Sequence, residues 1–159
     1  MLNLFQYNWP IREEWLQWCR HLPASELTME RTGGMRSFLV TFLHIIDVEY
    51  SWIRALMGKP DVAIDFSTYK TIYEVENLSL KLQQENRVYL SEWTHDKENQ
   101  MVYASWLNQS FTSGEVIRHI IVHEIHHIGQ LSIWAREMGL KPVSANFIGR
   151  GLPNDFIGK

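Results

Sequence analysis

Apolar residues recur at spacings of three and four in four separate segments of this chain, which is the period of a helix buried along one side. Strand signals are weak by comparison, so the expected fold class is all-α, a four-helix bundle. The pattern is clearest near the C-terminal end. There Val116, Ile120, His123, His127, Leu131 and Trp134 follow one another at intervals of four, three, four, four and three. All six lie on one helical stripe, and a stripe of that composition faces a core.

Stop and start signals divide the chain. A first helix is expected over roughly Leu2 to Leu22, with Leu4, Trp15, Trp18 and Leu22 on its apolar side; Pro10 kinks it or restarts it at Ile11, and Pro23 and Ser25 break the chain. Gly33 and Gly34 precede a second helix, Met35 to Met57, which Gly58 and Pro60 close. A third, near Thr71 to Trp93, buries Ile72, Val75, Leu78, Leu82 and Leu90. The polar stretch Thr94 to Asn108 reads as a long loop or a short hairpin, because Val102, Tyr103 and Trp106 favour strands. The fourth helix starts at a cap supplied by Thr112 or Ser113, carries Glu115 in its positive first turn, and runs to about Met138 before Gly139. The tail from Leu140 to Lys159, with Pro142, Gly149, Gly151 and Pro153, is expected to form a turn and a coil packed on the bundle.

With 159 residues, the chain matches one domain, 1–159. A hydrophobic content of 45% against 21% charged residues is a globular composition. The net charge of -3, with no long Lys/Arg run, argues against nucleic acid as a partner. The most apolar stretch, Phe38 to Ile46, is interrupted by Thr41 and His44 and too short to span a bilayer, and the N-terminal residues do not read as an export signal. A cytoplasmic protein with no membrane association is expected. The single cysteine, Cys19, excludes an internal disulfide and reads as a half-buried apolar residue, since no motif surrounds it.

Two imidazoles on a core-facing stripe need partners, because an unpaired polar ring among Ile, Leu and Trp costs roughly a few kcal/mol. Histidines at i and i+4 can aim ring nitrogens at one point, and neutral imidazole binds zinc, nickel, copper and iron. His123 and His127 have that spacing; so do His119 and His123, and spacing alone does not choose between the pairs. His126 points elsewhere, and His21 and His95 read as surface residues. His44, flanked along its face by Val40 and Val48, brings a third imidazole to the interior from the second helix. Three histidines from two helices would leave coordination positions open. His119, Asp47 or Glu124 could supply a fourth ligand and close the site.

The run His123-Glu124-Ile125-His126-His127 also matches H-E-x-x-H, in which two helical histidines hold zinc and the Glu activates water. Metalloproteases that use the motif take a third ligand from downstream, yet no histidine follows His127 and only Glu137 and Asp155 remain as carboxylates. Glu124 is accordingly a candidate base beside a metal, with a surface carboxylate or one that supports a ligand as the plainer reading.

The segment VHEIHHIGQLSIWAREMGLKP, Val122 to Pro142, resembles the fourth-helix signature of the DinB-like (DinB/YfiT) family of bacterial four-helix bundles. FQYNW near the start and LHIIDVEYSWIRALMG around the first histidine extend the resemblance over nearly the whole chain. It implies a divalent metal, zinc or nickel, on His44, His123 and His127, so the pair before Gly129 and Gln130 is preferred over His119. Where the common family pattern has Arg before that Gly-Gln, this chain has Ile128. The resemblance also implies a homodimer of packed bundles, with which seven tryptophans are compatible.

Relatives with known activities are metal-dependent enzymes that use low-molecular-weight thiols. The activity implied is a thiol-dependent, bacillithiol-type S-transferase acting on an unidentified small molecule. A metal-dependent hydrolase with metal-bound hydroxide, and a non-enzymatic metal-binding stress protein, are the alternatives. The tail that would roof a thiol pocket, Asn146 to Phe156, offers Asn146, Arg150, Asn154 and Asp155 as polar groups.

Overall fold

A computed structural model describes residues 3–152. In chain order the elements are α1 (Asn3–Cys19), α2 (Ala24–Thr28), α3 (Phe38–Leu56), α4 (Ile72–Ser91), β1 (Met101–Ala104), β2 (Gln109–Thr112) and α5 (Ser113–Glu137), with short 3-10 turns at Phe66–Thr68 and His95–Asn99. The four long helices α1, α3, α4 and α5 form the bundle.

Local chemistry sets the helix ends. The Ser37 hydroxyl accepts from the Val40 N–H and starts α3 at Phe38, three residues after the expected Met35. Residues 33–37 before it are held in turns instead. Capping boxes start α4 at Thr71/Glu74 and α5 at Thr112/Glu115, so Thr112 rather than Ser113 is the cap. At the far end of α5, Gly139 takes a left-handed φ of 71°. Its N–H donates to the Arg136 carbonyl and that of Leu140 to the Ala135 carbonyl, which satisfies two orphan acceptors. α3 closes in the same way beyond Met57, at Gly58 and Lys59.

Three expectations are corrected. Pro10 lies inside a continuous α1 and does not restart it. That helix ends at Cys19, because Arg20 to Leu22 tighten into turns. The break at Pro23 and Ser25 holds a one-turn helix, α2, whose buried Leu27 joins the core. Leu2, the expected start of the first helix, lies outside the described residues. The polar stretch after α4 resolves to the hairpin alternative: β1 and β2 pair antiparallel, Val102 opposite Phe111, with Val102 and Ala104 buried.

The core has two apolar clusters. One gathers Trp15, Leu16, Phe38, Phe42, Leu131 and Trp134; the other gathers Phe5, Trp9, Ile53, Val102, Ile117 and Ile121. Along α5, buried Glu124 falls between the residues of the two clusters, and on α3 buried Glu49 lies near their boundary, beside Tyr50 of the first and close to Trp52 and Ile53 of the second. Cys19 is fully buried, deeper than expected. Beyond α5 the chain lies along α1: Trp18 donates to the Lys141 carbonyl, Tyr7 to the Ala145 carbonyl, and Arg150 pairs with Glu14. Among the described residues no helix is long and apolar enough to cross a membrane.

Candidate metal centre

The stripe on α5 is buried at Val116, Ile120, Leu131 and Trp134, and His127 is 6% exposed within it. His123 is half-buried at its margin. From α3, half-buried His44 projects toward both rings. The three histidines meet through Nε2: His44 to His123 at 3.0 Å, and His127 to His123 at 3.2 Å. Among the described residues they form the one group of three or more His, Cys, Asp or Glu whose donor atoms come within reach of a single ion, all within 4.8 Å of one another.

The donor set fits a transition metal. Zn–N bonds of 2.0–2.1 Å in a tetrahedron place ligand nitrogens about 3.3 Å apart, near the two spacings found here. The rings also hold the protonation state that ligation needs. Burial lowers the pKa of all three, the neighbouring imidazoles lower those of His44 and His123 further, and His123 falls to about 3. All three are therefore neutral at physiological pH, with lone pairs available.

The other candidates stand apart. His119 is exposed, and its ring packs on Trp52 at 5.6 Å and on His123 at 5.6 Å without joining the convergent set. Asp47 accepts from the Ile64 N–H and also stays outside the set. His21 and His95 are on the surface, as expected, and His126 is exposed on the outer side of α5.

Glu124 is not a surface carboxylate. It is 2% exposed, and Arg12 grips both its oxygens, Nε to Oε1 at 2.7 Å and Nη2 to Oε2 at 2.6 Å. The same Nη2 pairs with Glu49, which also accepts from Trp9 Nε1 and, at 2.8 Å, from Asn86 Nδ2. Burial pushes the Glu124 pKa up, and the Arg12 guanidinium opposes that rise. With both oxygens engaged by Arg12, Glu124 is poorly disposed to act as a free base.

Arg12 and Glu49 carry no motif, yet each leaves a trace in the pattern. Phe5, Trp9, Arg12 and Leu16 are spaced four, three and four, and Ile45, Glu49 and Ile53 at four and four. In each case a charge occupies an apolar stripe, as Glu124 does between Ile120 and Ile128. Opposite charges on core stripes of different helices are the available signal for a buried ion pair.

A helical bundle with three imidazoles converging from two of its helices defines a class of protein able to hold one ion at the seam between helices. Comparison with known proteins gives the family and the fold. The chain belongs to the DinB family, whose model matches residues 1–150. It is 47% identical over 153 residues, 96% of each chain, to the Bacillus subtilis (strain 168) protein named "Uncharacterized protein YizA". Its fold resembles the crystal structure of a DinB-like protein from Bacillus cereus ATCC 10987, with a TM-score of 0.70 and 16% identity, covering 88% of this chain and 91% of that one. At that identity the likeness is one of fold alone.

Proposed function

We propose that the chain holds one divalent transition metal, zinc or nickel, on His44, His123 and His127, and that it acts as a thiol-dependent S-transferase. The observation that carries the metal assignment is the meeting of three neutral imidazoles through Nε2 at 3.0 and 3.2 Å. A metal bound there would act as a Lewis acid that lowers the pKa of a thiol and makes it a better nucleophile.

The residues of the chain argue that this thiol comes from outside. Cys19 is fully buried, and burial pushes its thiol pKa far up, so it supplies no thiolate. With only three protein donors in the convergent set, coordination positions remain for an exogenous sulfur. A small thiol would thus be joined through its sulfur to the electrophilic carbon of a small molecule, the bond from that carbon to its leaving group breaking as the new one forms. The leaving group departs with the electron pair, and the thiol proton passes to solvent. The hydrolase reading is weaker, because the Glu124 it would use as a base is bound to Arg12. Pairing of two bundles as a homodimer and a cytoplasmic setting belong to the same proposal.

The test is elemental mass spectrometry of the untagged protein, followed by turnover assays with and without a low-molecular-weight thiol. Near-stoichiometric metal and strictly thiol-dependent turnover are expected. Turnover that persists without thiol would replace the transferase with a hydrolase. A wild-type chain that is metal-free and takes up neither zinc nor nickel would overturn the metal assignment.

A further inference from the structure

We propose that Gln130 is a positioning residue that fixes which nitrogen of His127 faces the metal point, an inference that rests on the ligand set proposed above. The Gln130 amide sits between two rings: Oε1 is 2.7 Å from Nδ1 of His127, and Nε2 is 2.9 Å from Nε2 of His126. A neutral imidazole has one N–H and one lone pair, and an amide oxygen can only accept. His127 therefore donates from Nδ1, which leaves its Nε2 lone pair facing His123 and His44. A ligating nitrogen must be unprotonated, so this tautomer is the one that binds. The reversed amide would present an N–H to Nδ1, move the ring proton to Nε2 and close that nitrogen to an ion.

One contact holds the amide in the productive sense, and a second limits the room around it. His126, exposed and outside the ligand set, takes the amide N–H on its Nε2. On the other side the backbone of Gly34 closes over the oxygen: a Cβ at Gly34 would lie 2.4 Å from Oε1 and 3.3 Å from the Trp134 ring. A side chain at that position would displace the amide, and the left-handed φ of 54° favours glycine there. The turn is tied down next to Gly34, where Trp134 Nε1 donates to the Thr32 carbonyl at 3.0 Å. Gln130 stands three residues after His127 and four after His126, so one side chain reaches both rings from the same helix.

The experiment reads the tautomer and the affinity separately. Long-range proton–nitrogen correlation spectra of the metal-free, nitrogen-15-labelled chain report which His127 nitrogen is protonated, and zinc affinity is measured against a chromophoric chelator. In the wild type, His127 is expected to be protonated at Nδ1. Gln130→Leu is expected to lose that preference and to bind zinc about 10- to 100-fold more weakly. Gln130→Glu keeps an accepting oxygen and is expected to bind close to the wild-type level, a rescue that loss of packing alone would not produce. A wild-type His127 protonated at Nε2 overturns the proposal, as does a Gln130→Leu chain with wild-type zinc affinity. Should Gln130→Leu not fold, the wild-type tautomer and the Gln130→Glu affinity decide it in the same directions. A wild-type chain that binds no zinc overturns the ligand set and this inference together, whereas the other adverse outcomes overturn only the role of Gln130.

Discussion

Nε2 of His44 and Nε2 of His123 lie 3.0 Å apart, although the two residues are separated by 79 positions in the chain. Two lone pairs cannot face each other at that distance without repulsion, so a proton on one ring or an ion between the two must join α3 to α5.

Zinc is therefore expected to stabilise the native chain. At free metal about 100 times the Kd, the gain is about 2.7 kcal/mol, provided the unfolded chain does not bind. The urea midpoint should rise with added zinc in the wild type and in His119→Ala, whose ring is outside the convergent set. It should stay put in His44→Ala, His123→Ala and His127→Ala. A His119→Ala chain that lost the response would sink the assignment.

Acid should weaken the metal-free protein well above the carboxylate range. His44, His119, His123 and His127 all have pKa values depressed in the fold from the ordinary 6.5, His123 to about 3. Below 6.5 the unfolded chain takes up protons that the folded chain refuses, so stability is full above that pH and declines as pH falls toward 3. Urea unfolding of metal-free protein between pH 7 and pH 4 checks this. The slope should be shallower in His123→Ala, and equal slopes would refute the attribution.

Arg12 holds two buried carboxylates from different helices, Glu49 on α3 and Glu124 on α5. Arg12→Met would leave both without their shared counter-charge, at an expected cost of about 3–5 kcal/mol. Replacing Glu49 and Glu124 by Leu in the same chain should recover much of that loss, because an apolar replacement of a whole buried ion group is often neutral. Denaturant midpoints of the two chains give the comparison.

Glu124→Gln separates support of the core from work at the metal. With the side chain held on Arg12, the variant should keep stoichiometric metal while losing about 1–3 kcal/mol of stability. Loss of metal from a variant that remained folded would place Glu124 in the site after all.

The helical class, the four long helices and the stripe carrying His123 and His127 were legible in the sequence because each depends on periodicity along one segment. The Thr112/Glu115 cap and the Gly139 stop were legible for the same reason, since their hydrogen bonds close within a few residues. The start of α3 was misplaced because Met35 and Arg36 are ordinary helix residues, while the Ser37 cap excludes them from the helix. Spacing by itself left His119 level with His127, and the fold separates them: the seam between α3 and α5 brings His44 onto His123 and His127, while His119 turns to Trp52. Periodicity shows which residues face inward on one helix; it does not show which inward residue of another helix they meet. For that reason the sequence determined the helices and their buried faces, while the packing of α1, α3 and α5 alone decided that Arg12 joins Glu49 to Glu124 and that three imidazoles share one point.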